Sequence, residues 1–299
     1  MCGIAGLFLK NRSLEPELGA LTSAMLTVLT DRGPDSAGFA IYGSGAPGEV
    51  KLTLRAPAPF DAPFDFYAMA AGLNLAVTVR DDHAVLAVPV SRETEIRNFL
   101  ARNHPGLAIV ASGARMELFK GVGLPADVAN RFGLKSMSGS HAIGHTRMAT
   151  ESAVTTQGAH PFSTGPDQCL VHNGSLSNHN DIRRRLIREH MTFETQNDTE
   201  VAAGYLSWKL RTGARLDEAL TSALDTLDGF YTFVVGTETG FGVLRDPVAC
   251  KPAVMAETDD YVAFGSEYRA LVDLPGISKA HLFEPEPAKV YFWEREPVA

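Results

Sequence analysis

The sequence predicts an α+β fold in which stacked antiparallel or mixed sheets lie between helical layers. Strand-like and helix-like stretches come in blocks, which argues against an alternating βαβ array. Short strands crowd the C-terminal third, at 230–236, 241–244, 253–256 and 261–265. The opening strand, Gly3–Leu9, holds two glycines that let neighbouring backbone approach closely, as a buried strand requires. With 299 residues, 45% of them hydrophobic, the chain can bury the core of one large or two ordinary domains.

In chain order, Leu14, Leu18, Leu21, Met25 and Val28 recur at helical spacing, with Pro16 tolerable in the first turn. A polar loop at 31–38 leads to a strand at 39–42. Strands are expected at 51–55, 75–80 and 85–90, the last two joined as a hairpin across Asp81-Asp82, and a helix at 93–104. The Pro-rich stretch 56–66 reads as irregular loop, and 107–111 and 116–119 as further strands. His83 and His104 lie near turn signals and read as solvated surface. Strands at 141–145 and 168–172 follow, the second running into Asn173-Gly174. Residues 179–190 read as a helix whose Arg183, Arg184, Arg185 and Arg188 form a solvated basic face. Asp198 sits where a helix N-cap would, ahead of Val201, Tyr205 and Trp208 on one face. Leu216, Leu220, Ala223, Leu224 and Leu227 mark another amphipathic helix, and a short helix near 268–272 and a strand at 289–293 finish the chain.

The net charge of −8 leaves no basic stripe and argues against a nucleic-acid partner. No run of about 18 apolar residues and no basic-then-apolar leader are present, so a cytoplasmic chain is expected. Cys2, Cys169 and Cys250 have unrelated spacing, which fits a reducing compartment and neither a disulfide framework nor a metal site. Cys169 and Cys250 fall in strand-like runs and are expected to be buried.

Cys2 is different. Removal of Met1, ready before a small side chain, would make it the N-terminal residue, holding a thiol and a free α-amine together. A thiol of pKa ~8.5 is only a few per cent thiolate near neutral pH, and an amine of pKa about 7.7–8.0 is a base within reach.

Five pieces then occur in order: Met-Cys-Gly-Ile at 1–4, Arg-Gly-Pro-Asp-Ser-Ala-Gly at 32–38, Gly-His-Thr-Arg at 144–147, His-Asn-Gly-Ser-Leu at 172–176 and Asn-Asp-Thr-Glu at 197–200. Asp228-Gly229, Arg245-Asp246-Pro247 and Lys251-Pro252 add weaker matches. In this set the chain resembles the class II glutamine amidotransferases, N-terminal-nucleophile hydrolases that release ammonia from glutamine. The resemblance covers residues 1–45 and about 139–275. It implies a four-layer αββα sandwich of mostly antiparallel sheets, with 1–299 as one amidotransferase domain carrying a small α/β insertion at about 46–138.

The resemblance also implies roles. Cys2 would attack the glutamine δ-carbonyl, with Asn173 (side-chain NH₂) and Gly174 (backbone N–H) as the oxyanion hole. Arg147 would clamp the α-carboxylate through a bidentate fork, and Asp198 would bind the α-ammonium. Thr150 and His160 would border the substrate, and Arg32 would support Cys2 structurally. Many members have Trp after the motif arginine; here it is Met148, which would pack differently over the substrate. No metal or cofactor is implied in this chain.

The chain holds no Walker-type loop or Rossmann fingerprint for the acceptor chemistry. Size and the run Lys120-Gly121-Val122-Gly123-Leu124-Pro125 look most like the separate amidotransferase subunits of split glutamate-synthase-type complexes, N-methylglutamate synthase in particular. That would imply synthase subunits carrying flavin and iron–sulfur, and glutamine or glutamate as donor. The alternatives are a solitary γ-glutamyl amidase and a non-catalytic assembly or gating subunit.

Overall fold

The computed structural model describes residues 2–57, 63–149 and 153–295. Its first eight strands are β1 (Gly3–Leu9), β2 (Ser36–Tyr42), β3 (Glu49–Arg55), β4 (Ala76–Arg80), β5 (His83–Pro89), β6 (Ala108–Gly113), β7 (Met116–Val122) and β8 (His141–Arg147). The rest are β9 (Phe162–Gly165), β10 (Gln168–Leu176), β11 (Gly229–Gly236), β12 (Gly240–Arg245), β13 (Val254–Glu257), β14 (Tyr261–Gly265), β15 (His281–Phe283) and β16 (Val290–Glu294). The helices are α1 (Leu18–Val28), α2 (Phe66–Leu73), α3 (Glu93–Asn103), α4 (Pro125–Arg131), α5 (His179–Arg188), α6 (Asp198–Arg211) and α7 (Leu216–Thr226).

A seven-stranded sheet runs β15-β13-β14-β1-β8-β2-β7, and a five-stranded sheet runs β16-β12-β11-β10-β9. Between them, Ile4, Phe8 and Ile143 of the first meet Val171, Val234 and Phe241 of the second. On the first sheet's other face, Leu7, Leu9 and Phe39 pack on Met25 and Leu26 of α1 and Val128 of α4. On the second sheet's other face, Leu170, Phe233 and Val235 pack on Val201, Leu206 and Leu220 of α6 and α7. The result is the four-layer αββα sandwich. It explains why β1 reads as an unbroken apolar run: alternate side chains enter two different cores, and every residue of the strand is buried. Truncating a fully buried ring such as Phe264 to alanine costs about 3–5 kcal/mol by the usual cavity rule.

A separate four-stranded sheet, β4-β5-β3-β6, with α2 and α3, occupies residues 49–113, within the stretch 46–138 read as an insertion. β7 closes the edge of the main sheet against β2, and α4 packs on the main core. The helix α2, begun by Asp65 capping the Ala68 N–H at 2.9 Å, was not expected. Its first residue is the last of the stretch read as loop, of which 58–62 lie outside the described residues. Pro16 lies in a 3-10 turn, Arg12–Glu17, and α1 starts after it.

Several single-residue expectations change. His83 is fully buried, its ring 4.8 Å from that of Phe132, because β5 turns it inward beneath α4. Half-buried His104 meets the Phe64 and Phe99 rings. Cys169 is buried in β10, whereas Cys250 is exposed in the loop after β12. Arg183 turns off the basic face of α5 into a buried site and donates to the carbonyls of Thr195 (2.5 Å) and Asn197 (3.2 Å). Among the described residues no helix is long and apolar enough to cross a membrane.

Candidate active site

Cys2 leads directly into β1, and the neighbouring strands decide what surrounds it. Gly3 pairs with Thr146 of β8, so the same antiparallel register, continued one step, sets Cys2 beside Arg147. The Cys2 carbonyl oxygen accepts from Arg32 Nε at 2.9 Å and from Asn173 Nδ2 at 3.0 Å. Its Sγ lies 3.8 Å from the Met148 carbonyl oxygen. Arg32, from the 3-10 turn before β2, and Asn173, from β10 of the second sheet, thus grip the backbone of the sulfur-bearing residue, and among the described residues its side chain has no strong partner. Arg32, itself buried, continues to Glu267 Oε1 at 2.7 Å. That contact comes first among the causes holding the Glu267 carboxyl below its ordinary range.

Asn173 and Gly174 lie inside β10, not in a hairpin turn, so the common Asn-Gly turn reading does not apply. Among the described residues β9 pairs with β10 only as far as Leu170↔Phe162, and beyond it β10 has β11 on one side alone. The strand therefore presents an open edge from Val171 onward, where the site lies. Asn173 Nδ2 also donates to Ser266 Oγ at 3.2 Å, and that hydroxyl oxygen accepts from the Ile4 N–H at 2.9 Å. Gly174 has φ +140°, and a Cβ there would sit 1.9 Å from the Phe230 carbonyl oxygen. No other residue type fits this strained, close-packed point.

Arg147 ends β8, buried, with Nη1 at 3.5 Å from the Ala153 carbonyl oxygen. The loop after it is tied down by Asp35: its N–H donates to the Arg147 carbonyl at 3.1 Å, and its Oδ2 accepts from the Ala149 N–H at 2.8 Å. Asp35 belongs to the 32–38 motif, but nothing in its spacing pointed to this clasp. Thr150 lies outside the described residues.

Asp198 is the first residue of α6, and the N-cap is Asn197, whose side chain accepts from the Thr199 N–H at 2.8 Å. The predicted N-cap is therefore displaced by one residue, and Asp198 is released from capping. Its Oδ2 accepts from the Leu176 N–H at 2.9 Å, which ties α6 to the end of β10. Oδ1 stands 3.9 Å from His172 Nδ1. A carboxylate in the first helical turn is also favoured by the helix dipole. The Arg183 contacts to 195–197 fix the approach to this helix.

Beneath these groups lies a cluster the sequence reading did not assemble. The His145 and His160 rings stack with centroids 4.1 Å apart, and His145 Nε2 lies 3.1 Å from the His172 carbonyl oxygen. Thr199 Oγ1 is 2.8 Å from His160 Nε2 and 2.9 Å from His172 Nδ1. One hydroxyl has one proton, so it donates to at most one imidazole and must accept from the other. Burial holds His145 down to about 3 and His160 and His172 below their ordinary value. His160 is thus buried against His145 and Thr199; Gly38 makes room for it, since a Cβ there would lie 2.2 Å from its carbonyl oxygen.

The structure brings Cys2, Arg32, Asn173 and Arg147 together around the start of β1, and Gly174 and Asp198 at the adjoining end of β10. Among the described residues no group of three or more His, Cys, Asp or Glu is arranged to hold a metal ion.

A family described as a glutamine amidotransferase domain matches residues 145–273. The chain is 61% identical to the glutamine amidotransferase-like protein GlxB of Rhizobium meliloti, over all of both chains. It is 35% identical to a putative glutamine amidotransferase of Methanothermobacter thermautotrophicus, over 97% of this chain and 99% of that one. Among solved structures, the glutamine phosphoribosylpyrophosphate amidotransferase of B. subtilis complexed with ADP and GMP superposes with a TM-score of 0.62 at 21% identity. That match covers 98% of this chain but 47% of the other, and the likeness is one of fold.

Proposed function

Because the chain belongs to the class II glutamine amidotransferase family, we propose that it hydrolyses glutamine through a γ-glutamyl thioester on Cys2. The Cys2 thiolate adds to the δ-carbonyl carbon, and the oxyanion is met by Asn173 Nδ2 and the Gly174 N–H. The α-amine of Cys2, exposed by removal of Met1, takes the thiol proton and returns it to the departing ammonia as the C–N bond breaks. Water then adds to the thioester, releasing glutamate and restoring the thiol. Arg147 holds the α-carboxylate and Asp198 the α-ammonium, with Thr150 and His160 bordering the substrate and Arg32 bracing Cys2. The observation that carries the reading is the double grip on the Cys2 carbonyl by Arg32 and Asn173. It fixes the nucleophile's backbone at the edge of β10 while Sγ, among the described residues, faces the Met148 carbonyl.

The test is covalent trapping by an electrophilic glutamine analogue, mapped by peptide mass spectrometry. The expected adduct is on an N-terminal Cys2 and absent from Cys2→Ala. Unmodified, fully processed Cys2 together with undiminished glutaminase activity in Cys2→Ala would overturn the assignment.

Two relatives that match end to end are described as a glutamine amidotransferase-like protein and a putative glutamine amidotransferase. This supports a chain that carries out the amide hydrolysis as a unit, a solitary amidase, over the synthase-subunit reading. The non-catalytic reading fits poorly with a chain that keeps Cys2, Arg147, Asn173, Gly174 and Asp198 together. One observation favours a partner. Val122 and Leu124 are 39% and 44% exposed on either side of Gly123, whose N–H donates to the Asp35 carbonyl at the loop cluster of the site. A synthase of the glutamate-synthase type, docking there to receive ammonia, is the second reading. Co-purification from the native source separates the two: a stoichiometric synthase, lost in Leu124→Asp, supports the second.

A further inference from the structure

A cavity of about 400 Å³ opens on the seam between the four-stranded sheet and the body. Arg55, at the end of β3, and Ser112 of β6 line it from one side, and Lys120 of β7 and Gln157 from the other. Its charges are unevenly matched. Arg97, also on the wall, is held by Glu93 Oε1 at 2.7 Å. Glu200 has both oxygens engaged, accepting from the Glu194 N–H at 2.7 Å, the Thr195 N–H at 2.8 Å and Thr195 Oγ1 at 2.6 Å. Glu194 is exposed. Arg55 has no hydrogen-bond partner for its buried Nε among the described residues. Lys120 is buried and donates to neutral carbonyls, those of Ala159 at 2.8 Å and Gln157 at 3.2 Å. Burial, and after it the neighbouring Arg55, push the Lys120 ammonium down to about 7. Among the described residues neither Arg55 nor Lys120 forms an ion pair, and the Glu200 and Glu194 carboxylates act on Lys120 only through their charge, in third and fourth place after burial and Arg55.

We propose that this cavity binds a small molecule through an oxyanion group, carboxylate or phosphate, seated on Arg55 and Lys120. A guanidinium on the wall offers charge-assisted N–H donors to a carboxylate or phosphate oxygen, and the volume is that of a small-metabolite site. The Ser112 side chain adds a hydroxyl to the same wall. The bound group would touch the lysine whose contacts hold Gln157 and Ala159.

The test is calorimetric titration of the full chain with inorganic phosphate and, separately, citrate, at ionic strength held constant with chloride. Saturable binding of at least one is expected, and which one binds distinguishes a phosphate source from a polycarboxylate source. Arg55→Gln should weaken it at least tenfold, and Arg184→Gln, on the exposed face of α5, should leave it unchanged. Ser112→Phe keeps every charge and fills the cavity; it should abolish binding even if Arg55→Gln does not fold. No saturable binding of either anion overturns the proposal. So does wild-type affinity in a folded Arg55→Gln or Ser112→Phe chain, or an equal loss in Arg184→Gln.

Discussion

The Asn173 side-chain nitrogen lies 3.0 Å from the Cys2 carbonyl oxygen, and its second proton is directed at Ser266 Oγ, 3.2 Å away. Both donors of the proposed oxyanion amide are therefore engaged before substrate arrives. Donation to a tetrahedral oxyanion requires one of these bonds to be exchanged, and the Ser266 bond is the longer. Asn173→Ala is expected to lower kcat for glutamine hydrolysis by about 10²–10³-fold, the usual loss for one oxyanion donor. Ser266→Ala, which frees one proton while leaving the Cys2 contact, should cost far less. A steady-state comparison of the two variants checks this; equal losses would mean that Asn173 acts only as a brace.

Gly174→Ala is expected to act on stability. The residue has φ +140°, and its added Cβ would overlap the Phe230 carbonyl. Backbone strain alone costs about 1–3 kcal/mol, and the close contact adds to it. At roughly 2–4 °C per kcal/mol for a chain approaching this size, a fall in Tm of several degrees is expected. Thermal melting followed by circular dichroism measures it, and an unchanged Tm would show that β10 can shift away from β11 here.

Arg147→Lys should raise KM for glutamine more than it lowers kcat. Lysine keeps the charge but not the planar fork that matches a carboxylate. A hydrogen bond to a charged group contributes about 1.5–3 kcal/mol, which corresponds to a ~10- to 100-fold rise in KM. The counter-result is a kcat loss at constant KM, which would point to a role in the loop after β8 instead of in substrate binding.

The main sandwich was legible because its physics is local. Strands buried on both faces read as continuous apolar runs, as β1 and β14 do. The site's pieces were legible as motifs, but their partners were not. Asp35, Ser266 and Thr199 act through contacts spanning 114, 93 and 39 residues, to Ala149, Asn173 and His160, and no periodicity reports such distances. Arg183 sits in an arginine-rich stretch that looks solvated, and only the fold of 195–197 under α5 shows that its charge is buried. His83 was misread for the same reason: a turn signal at Asp81-Asp82 says nothing of the helix α4 that covers the turn. β6 and β7 are consecutive strands that belong to different sheets, and no local pattern reports such a division.

The buried imidazoles set an acid limit on stability. Burial holds His141 and His145 down to about 3, and His160 and His172 are lowered as well. In the unfolded chain these groups titrate near 6.5. Between about pH 6.5 and pH 3 the unfolded state therefore binds protons that the folded state refuses. Stability rises with pH wherever the unfolded state binds more protons, so it must fall as pH is lowered through this window. Each imidazole contributes a slope approaching about 1.4 kcal/mol per pH unit. The Glu267 carboxyl, depressed first by its bond to Arg32, acts in the same direction only at lower pH, where carboxylates protonate. Urea unfolding at intervals from about pH 7 to pH 5 isolates the histidine contribution. His141→Gln is the variant to compare, because His141 touches Ser140, Thr237 and Tyr42 and none of the proposed catalytic groups. It should lower stability near pH 7 and reduce the slope by up to about 1.4 kcal/mol per pH unit. A slope identical to that of the wild-type chain would show that His141 protonates in the folded state.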